Sequence, residues 1–310
     1  MDSNANFFSR EEVAHLSERS DWMGFCLVIH CYVIVAMALV IYSIFPNTAT
    51  FFLALIIIGS RQLGLAILMH DAAHGTLFKS SKLNNVVGEW FCGSPILAEL
   101  GSYRRYHLKH HKHTQTPEDP DLVLSAPFPI SRASLLRKLF RDVTGQTGLK
   151  LILLPRIKNA IKRYVGIQQV DSDKYAQSFK SPGIVHPFYC NSVIFIAMMA
   201  FGDWWWWFAF WLLPLLTWFQ VVVRLRNIAE HAGTEFSSNK LQNVRTTSVN
   251  LLTQLFIAPY WVNYHLEHHL MMYVPCWRLS KMHKMLVTKG YAPKLKLAKG
   301  YLAVLREVIV

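Results

Sequence analysis

Two long apolar runs separated by a three-residue turn constrain this chain more than any other feature. Residues 24–45 contain no Asp, Glu, Lys or Arg and are long enough to cross about 30 Å of hydrocarbon as a helix. Pro46-Asn47-Thr48 then turns the chain, and a second run starts at Ala49 and reaches Met69, interrupted only by Arg61-Gln62. Backbone polar groups inside a bilayer must find partners within their own element, so such a pair reads as a helical hairpin. A third run covers 187–201, Gly202-Asp203 supplies the next turn, and a fourth runs from Trp204 to about Val223. Its four opening tryptophans suit an aromatic belt at a membrane interface. A charge in mid-membrane is costly. The second helix is therefore expected to leave the bilayer near Arg61 and carry its last turns into the cytoplasm. The fourth, continuing through Arg224, Arg226 and Asn227 to His231, is expected to do the same.

Composition agrees. Of 310 residues 52% are hydrophobic and 16% charged, against about 25% charged in soluble domains. Lys and Arg outnumber Asp and Glu by 32 to 19. The excess sits in the long connection 75–186 and in the tail, while the turns 46–48 and 202–203 carry no Lys or Arg. By the positive-inside rule both termini and the long connection are cytoplasmic. Within that connection 86–100 is apolar but broken by Gly88, Glu89, Gly93 and Pro95, and reads as a re-entrant or surface-lying element. Residues 131–163 mix Leu and Ile with Arg137, Lys138, Lys150, Arg156, Lys162 and Arg163, a pattern for amphipathic helices on anionic lipid. No basic–aromatic recognition pattern accompanies them, which argues against nucleic acid. Five scattered cysteines without a Cys-x-x-Cys pair argue against a disulfide framework or a thiolate metal site. The expected architecture is an all-α integral membrane protein. Residues 1–23 form a polar cytoplasmic lead-in rather than a cleavable signal, 24–285 four transmembrane helices with a cytoplasmic helical cap, and 286–310 a basic tail.

Chemistry enters with histidine. His70-Asp71-Ala72-Ala73-His74 places two rings four residues apart, on one face of a helix. His107-Leu108-Lys109-His110-His111 and His265-Leu266-Glu267-His268-His269 repeat one His-x-x-His-His pattern, and Asn227 and His231 are again four apart. The topology brings all of them to one side of the membrane. The candidate ligands are His70, His74, His107, His110, His111, His231, His265, His268 and His269, too many for one ion. His113 reads as a surface neighbour, and His15, His30, His186 and His283 lack a motif. Asp71, Glu230 and Glu267 adjoin the histidines and are candidates to hold a ligand's second ring nitrogen. Imidazole serves zinc and iron alike. Zinc favours four ligands, so two irons of higher coordination make better use of nine histidines.

The three tracts, in this order and in these places after the second and fourth runs, resemble the histidine boxes of the membrane fatty-acid desaturase and hydroxylase superfamily. The resemblance covers roughly residues 20–285. It implies a non-haem di-iron oxidoreductase using iron (Fe2+/Fe3+) and dioxygen on an unactivated C–H bond of a lipid. His231 would be a further ligand, and Asn227 would reach the metal through water. The implied substrate is a fatty-acyl chain on a lipid, coenzyme A or a carrier, with hydroxylation or ketolation of a carotenoid, sterol, sphingolipid or alkane as the alternative. No haem, flavin, nicotinamide or iron–sulfur signature is present, so electrons would come from a separate ferredoxin, rubredoxin or cytochrome b5-like donor. Arg104, Arg105 and Arg224 are available to an anionic head group or to the lipid surface. A bacterial inner membrane is the expected location. The rival classes are a membrane zinc hydrolase, a metal transporter and a non-catalytic metal-binding protein. A transporter would bury its ligands near the bilayer midplane.

Overall fold

The computed structural model describes residues 7–165 and 185–310. Within them the protein is helical, apart from two-residue strands at Thr246–Thr247 and Leu297–Ala298 that pair in parallel and one isolated bridge. The first six residues of the lead-in and the side chains of Lys162 and Arg163 lie outside the described residues.

The expected hairpin is formed by Asp21–Ile44 and Thr48–Ala73. Asn47 closes it by accepting the backbone N–H groups of Ala49 (2.9 Å) and Thr50 (3.1 Å), which caps the second helix where its first donors have no helical partner. A third long helix, Trp207–His231, opens on a π-helical turn at Trp207–Leu212 and breaks at Thr217 before Trp218–His231. These three are long and apolar enough to cross a membrane, and Val185–Phe201 is a shorter apolar helix of 17 residues. Trp204 and Trp205 fall in the turn before the third long helix rather than inside it.

Arg61 departs from expectation. Rather than meeting water at a membrane surface it is 2% exposed, enclosed by protein. Its guanidinium donates to the Leu255 carbonyl, while the Ser60 hydroxyl donates to that of Phe256 at 2.7 Å. The two side chains thus cap the C-terminal end of the Leu251–Phe256 helix.

Residues 81–96 are not surface-lying throughout. Ser81–Val87 runs into a π-helical turn, Gly88–Gly93, and a 3-10 turn, Ser94–Ile96. A Cβ on Gly88 would lie 2.5 Å from that of Ala72, so glycine lets this segment press against the end of the Thr48–Ala73 helix. Trp211 pins it from the other side, its indole N–H donating to the Pro95 carbonyl at 2.9 Å. Arg132–Val143 and Leu154–Tyr164 are helices. They expose Leu136, Phe140 and Ile157 as lipid-lying helices do. The C-terminal residues pack inward, with Val304 and Val308 in a core with Ile130, Leu135 and Ile228.

Candidate metal centre

Three helices bring their C-terminal ends to one place. Thr48–Ala73 carries His70 in its last turn with His74 as its cap, Leu100–His113 carries His107, His110 and His111 in its last two turns, and Trp218–His231 finishes on His231. Helix C-termini carry partial negative charge, so their convergence favours a cation before any ligand is counted. The six-residue helix His265–Leu270, every residue of it buried, completes the cluster.

The nine sequence-predicted histidines gather into two groups. His70, His74, His107, His111 and His268 form one; His110, His231, His265 and His269 form the other; within each, the ring nitrogens lie within 4.8 Å of one another. Each triplet divides the same way. Its i, i+4 pair (His107 with His111, His265 with His269) stays in one group, and the intervening His110 or His268 crosses to the other. The groups share a wall where the His111 and His269 rings stack 4.2 Å apart.

The nitrogens point inward. Nε2 of His111 is 2.9 Å from Nε2 of His107 and of His268, and His268 Nε2 is 2.9 Å from that of His70. His231 and His265 make the same approach at 2.9 Å. The Nε2 atoms of His74 and His269 are buried without a partner. A neutral imidazole nitrogen is either a donor or an acceptor, so protons alone do not satisfy such a cluster. Lone pairs converging on cations do. The donor set fits metal ions of the kind that take imidazole.

Burial, followed by the charge each neighbour would carry, holds His74, His107, His111, His265, His268 and His269 well below the usual imidazole range. They are neutral at physiological pH, as ligands must be. His110 moves the other way. Burial pulls it down, but the hydrogen bond to Asp119 and the charges of Asp121 and Asp119 raise it on balance.

The carboxylates divide. Asp71 lies 3.3 Å from Nδ1 of His70, and its other oxygen accepts the Cys276 N–H at 2.8 Å, joining the first tract to the Cys276–Thr288 helix. Glu230 pairs with Arg226 at 3.0 Å and lies 3.6 Å from His265. Glu267, fully buried, faces away from the ligands: it accepts from His283 Nδ1 at 2.6 Å and from the Thr246 hydroxyl. His283, without a motif, thus holds Glu267. Sequence reasoning missed Asp119, which accepts from His110 Nδ1 at 2.8 Å, and Thr114, 3.3 Å from His269 Nδ1. The signal for Asp119 was an acid in the turn-rich loop nine residues after His110. Asn227 lies one turn before His231, its oxygen accepting from Arg226 at 3.3 Å. His113 and His186 belong to neither group.

Between the groups lies a cavity of about 20 Å³ touching His70, His107, His265, His268 and Arg226, with Ile67 and Val262 on its apolar side. That is room for about one water-sized molecule. The arginines offered to a head group are otherwise engaged. Arg104 donates to the Ala73 and Ala72 carbonyls at 2.8 and 3.1 Å, Arg105 to Ser102 at 3.1 Å, and Arg224 to buried Asp142 at 2.9 Å.

Apolar helices of spanning length that end on two adjoining clusters of histidines define a membrane-type protein with a histidine-rich candidate metal site. The fatty acid desaturase family model matches residues 46–299, and the chain belongs to that family. It is 29% identical over 300 residues to a dihydrorhizobitoxine desaturase of Bradyrhizobium elkanii, covering 92% of this chain and 82% of the relative. It is 24% identical over 232 residues to a beta-carotene ketolase of Paracoccus sp. (strain PC1), covering 72% and 75%. Family and relatives together make this an oxidoreductase of desaturase or hydroxylase type.

Proposed function

We propose that the protein is a membrane-bound, dioxygen-dependent desaturase of a fatty-acyl or other lipid substrate, with two irons held by its nine histidines on the cytoplasmic side of a four-span domain. The observation that carries this reading is the convergence of nine imidazoles into two adjoining groups. One iron would be held by His70, His74, His107, His111 and His268. The other would be held by His110, His231, His265 and His269, with Asn227 reaching it through water. Iron and dioxygen bound there supply the oxidising power to remove hydrogen from an unactivated C–H bond.

The residues of the chain hold and shield. Asp119 fixes the His110 tautomer by accepting from Nδ1, leaving Nε2 to the metal, and Asp71 stands in the same relation to His70. Tyr103 stacks on His107 at 5.2 Å and limits its tilt. The small cavity beside the histidines, with Ile67 and Val262 on its apolar side, would limit the access of bulk water to the metals. Electrons come from a separate ferredoxin, rubredoxin or cytochrome b5-like donor. Hydroxylation or ketolation is the second reading, supported by the similarity to a ketolase. A zinc hydrolase accords poorly with a group of five histidines.

The test is product mass. Full-length protein in lipid, supplied with a reductant, a donor protein and dioxygen, is expected to yield lipid lacking two hydrogens. Gain of one oxygen would assign the second reading. Turnover without dioxygen would overturn both.

A further inference from the structure

Away from the histidines, an apolar groove of about 630 Å³ runs between Val185–Phe201, the π-helical turn Trp207–Leu212 and the basic amphipathic segment. Phe188, Asn191, Ser192, Phe195 and Ile196 line it at helical spacing, a stripe about 12 Å long at 1.5 Å per residue. Trp207, Phe208 and Leu212 form the opposite wall, and the π turn, a distortion that recurs at functional sites, presents them together. Leu153, Arg156 and Ile157 form the third side. Phe188, Ile196 and Phe208 are exposed along it, so a membrane lipid can enter from the side.

Three polar atoms on this apolar lining are buried and have no partner: Nε of Arg156, Nε1 of Trp207 and Oδ1 of Asn191. Asn191 is 8% exposed, and its orientation is fixed, because its amide nitrogen donates to the Ser94 and Pro187 carbonyls at 3.1 and 2.9 Å. Its oxygen is therefore the atom left over. Arg156 is the stronger case. Its guanidinium donates to the Ile152 carbonyl of its own turn, and among the described residues no carboxylate pairs with it. Burial alone lowers it to about 10. Arg156 is half-buried with its Nε enclosed, and a cation set against an apolar lining without a counter-charge is unfavourable unless an anion meets it. Lone-pair and N–H vacancies beside it call for the ester carbonyls and hydroxyls of a glycerolipid.

We propose that this groove is a binding site for an anionic phospholipid, with one acyl chain along the Phe188–Ile196 stripe and the head-group phosphate on Arg156. The site is separate from the histidine cluster and does not depend on the reaction assigned above. Exposed Lys150 and Lys158 on the same segment favour the anionic leaflet surface around it.

The experiment is native mass spectrometry of the full-length protein released from nanodiscs containing equal phosphatidylglycerol and phosphatidylcholine of matched chains. The wild type is expected to retain phosphatidylglycerol about tenfold over phosphatidylcholine, the discrimination that one charge-assisted contact supplies. Arg156→Gln should abolish the preference and Arg156→Lys should keep most of it. Ser192→Phe, which fills the groove without touching the charge, should reduce retention of both lipids. Helical content by circular dichroism and the thermal unfolding midpoint, measured on each variant, report whether the fold survives. Equal retention of the two lipids by the wild type, an unchanged preference in Arg156→Gln, or unchanged retention in Ser192→Phe would overturn the proposal. So would recovery of a free fatty acid in place of the phospholipid.

Discussion

Among single residues, Asp119 carries the clearest prediction. Its carboxylate holds His110 at 2.8 Å inside the buried cluster, so Asp119→Asn should lower metal affinity about 10- to 100-fold and leave helical content unchanged. Metal titration with circular dichroism on the same samples checks both. The histidines predict a pH dependence. The folded-state values of His74, His107, His111, His265, His268 and His269 lie below the ordinary 6.5. Below pH 6.5 the unfolded chain therefore binds protons that the native site refuses. Metal-free protein should be fully stable above that pH and lose stability progressively as pH falls, as denaturant unfolding at stepped pH would show. A midpoint that rises on acidification would contradict it. Every histidine in the two groups was legible in the sequence, because i, i+4 spacing and triplet repetition are local signals. Their supports were less so. Asp119 reaches His110 across a loop, and Glu267 turns from its neighbouring ligands toward His283 and Thr246, directions that only the packed helices decide.

Among elements, the hairpin was readable because Asn47 caps and Pro46 turns, both local effects. The burial of Arg61 was not. Its partner carbonyl lies 194 residues away, and a lone arginine in an apolar run suggests a membrane surface unless that partner is known. The π turns at Gly88–Gly93 and Trp207–Leu212 were equally hidden, since both lie in runs that are apolar on nearly every face, where the phase shift of one extra residue leaves no mark on the hydrophobic pattern. Gly88 makes the first of them testable. A methyl group there meets Ala72, between His70 and His74, at 2.5 Å. Gly88→Ala should cost about 1–3 kcal/mol and displace the first histidine tract. Thermal unfolding should show the loss, and metal content should fall with it, whereas a fully metallated, equally stable variant would mean that the segment is free to shift.

Over the whole molecule, Thr48–Ala73 and Trp218–His231 both end at the histidine cluster, and the charge bias of the connections predicts that this end is cytoplasmic. Cysteines introduced at 47 and 203 should then react with a membrane-impermeant thiol reagent applied from outside intact cells, and one introduced at 113 should not. The reverse pattern would invert the topology. The proposed reaction depends on the pair of irons, and elemental analysis of protein purified from iron-replete cells, alongside His268→Ala and assayed for dioxygen-dependent lipid product, tests for them. Two irons per chain, with iron depleted and product lost in the variant, is the predicted result. Zinc in place of iron, with no dioxygen-dependent product, would contradict it.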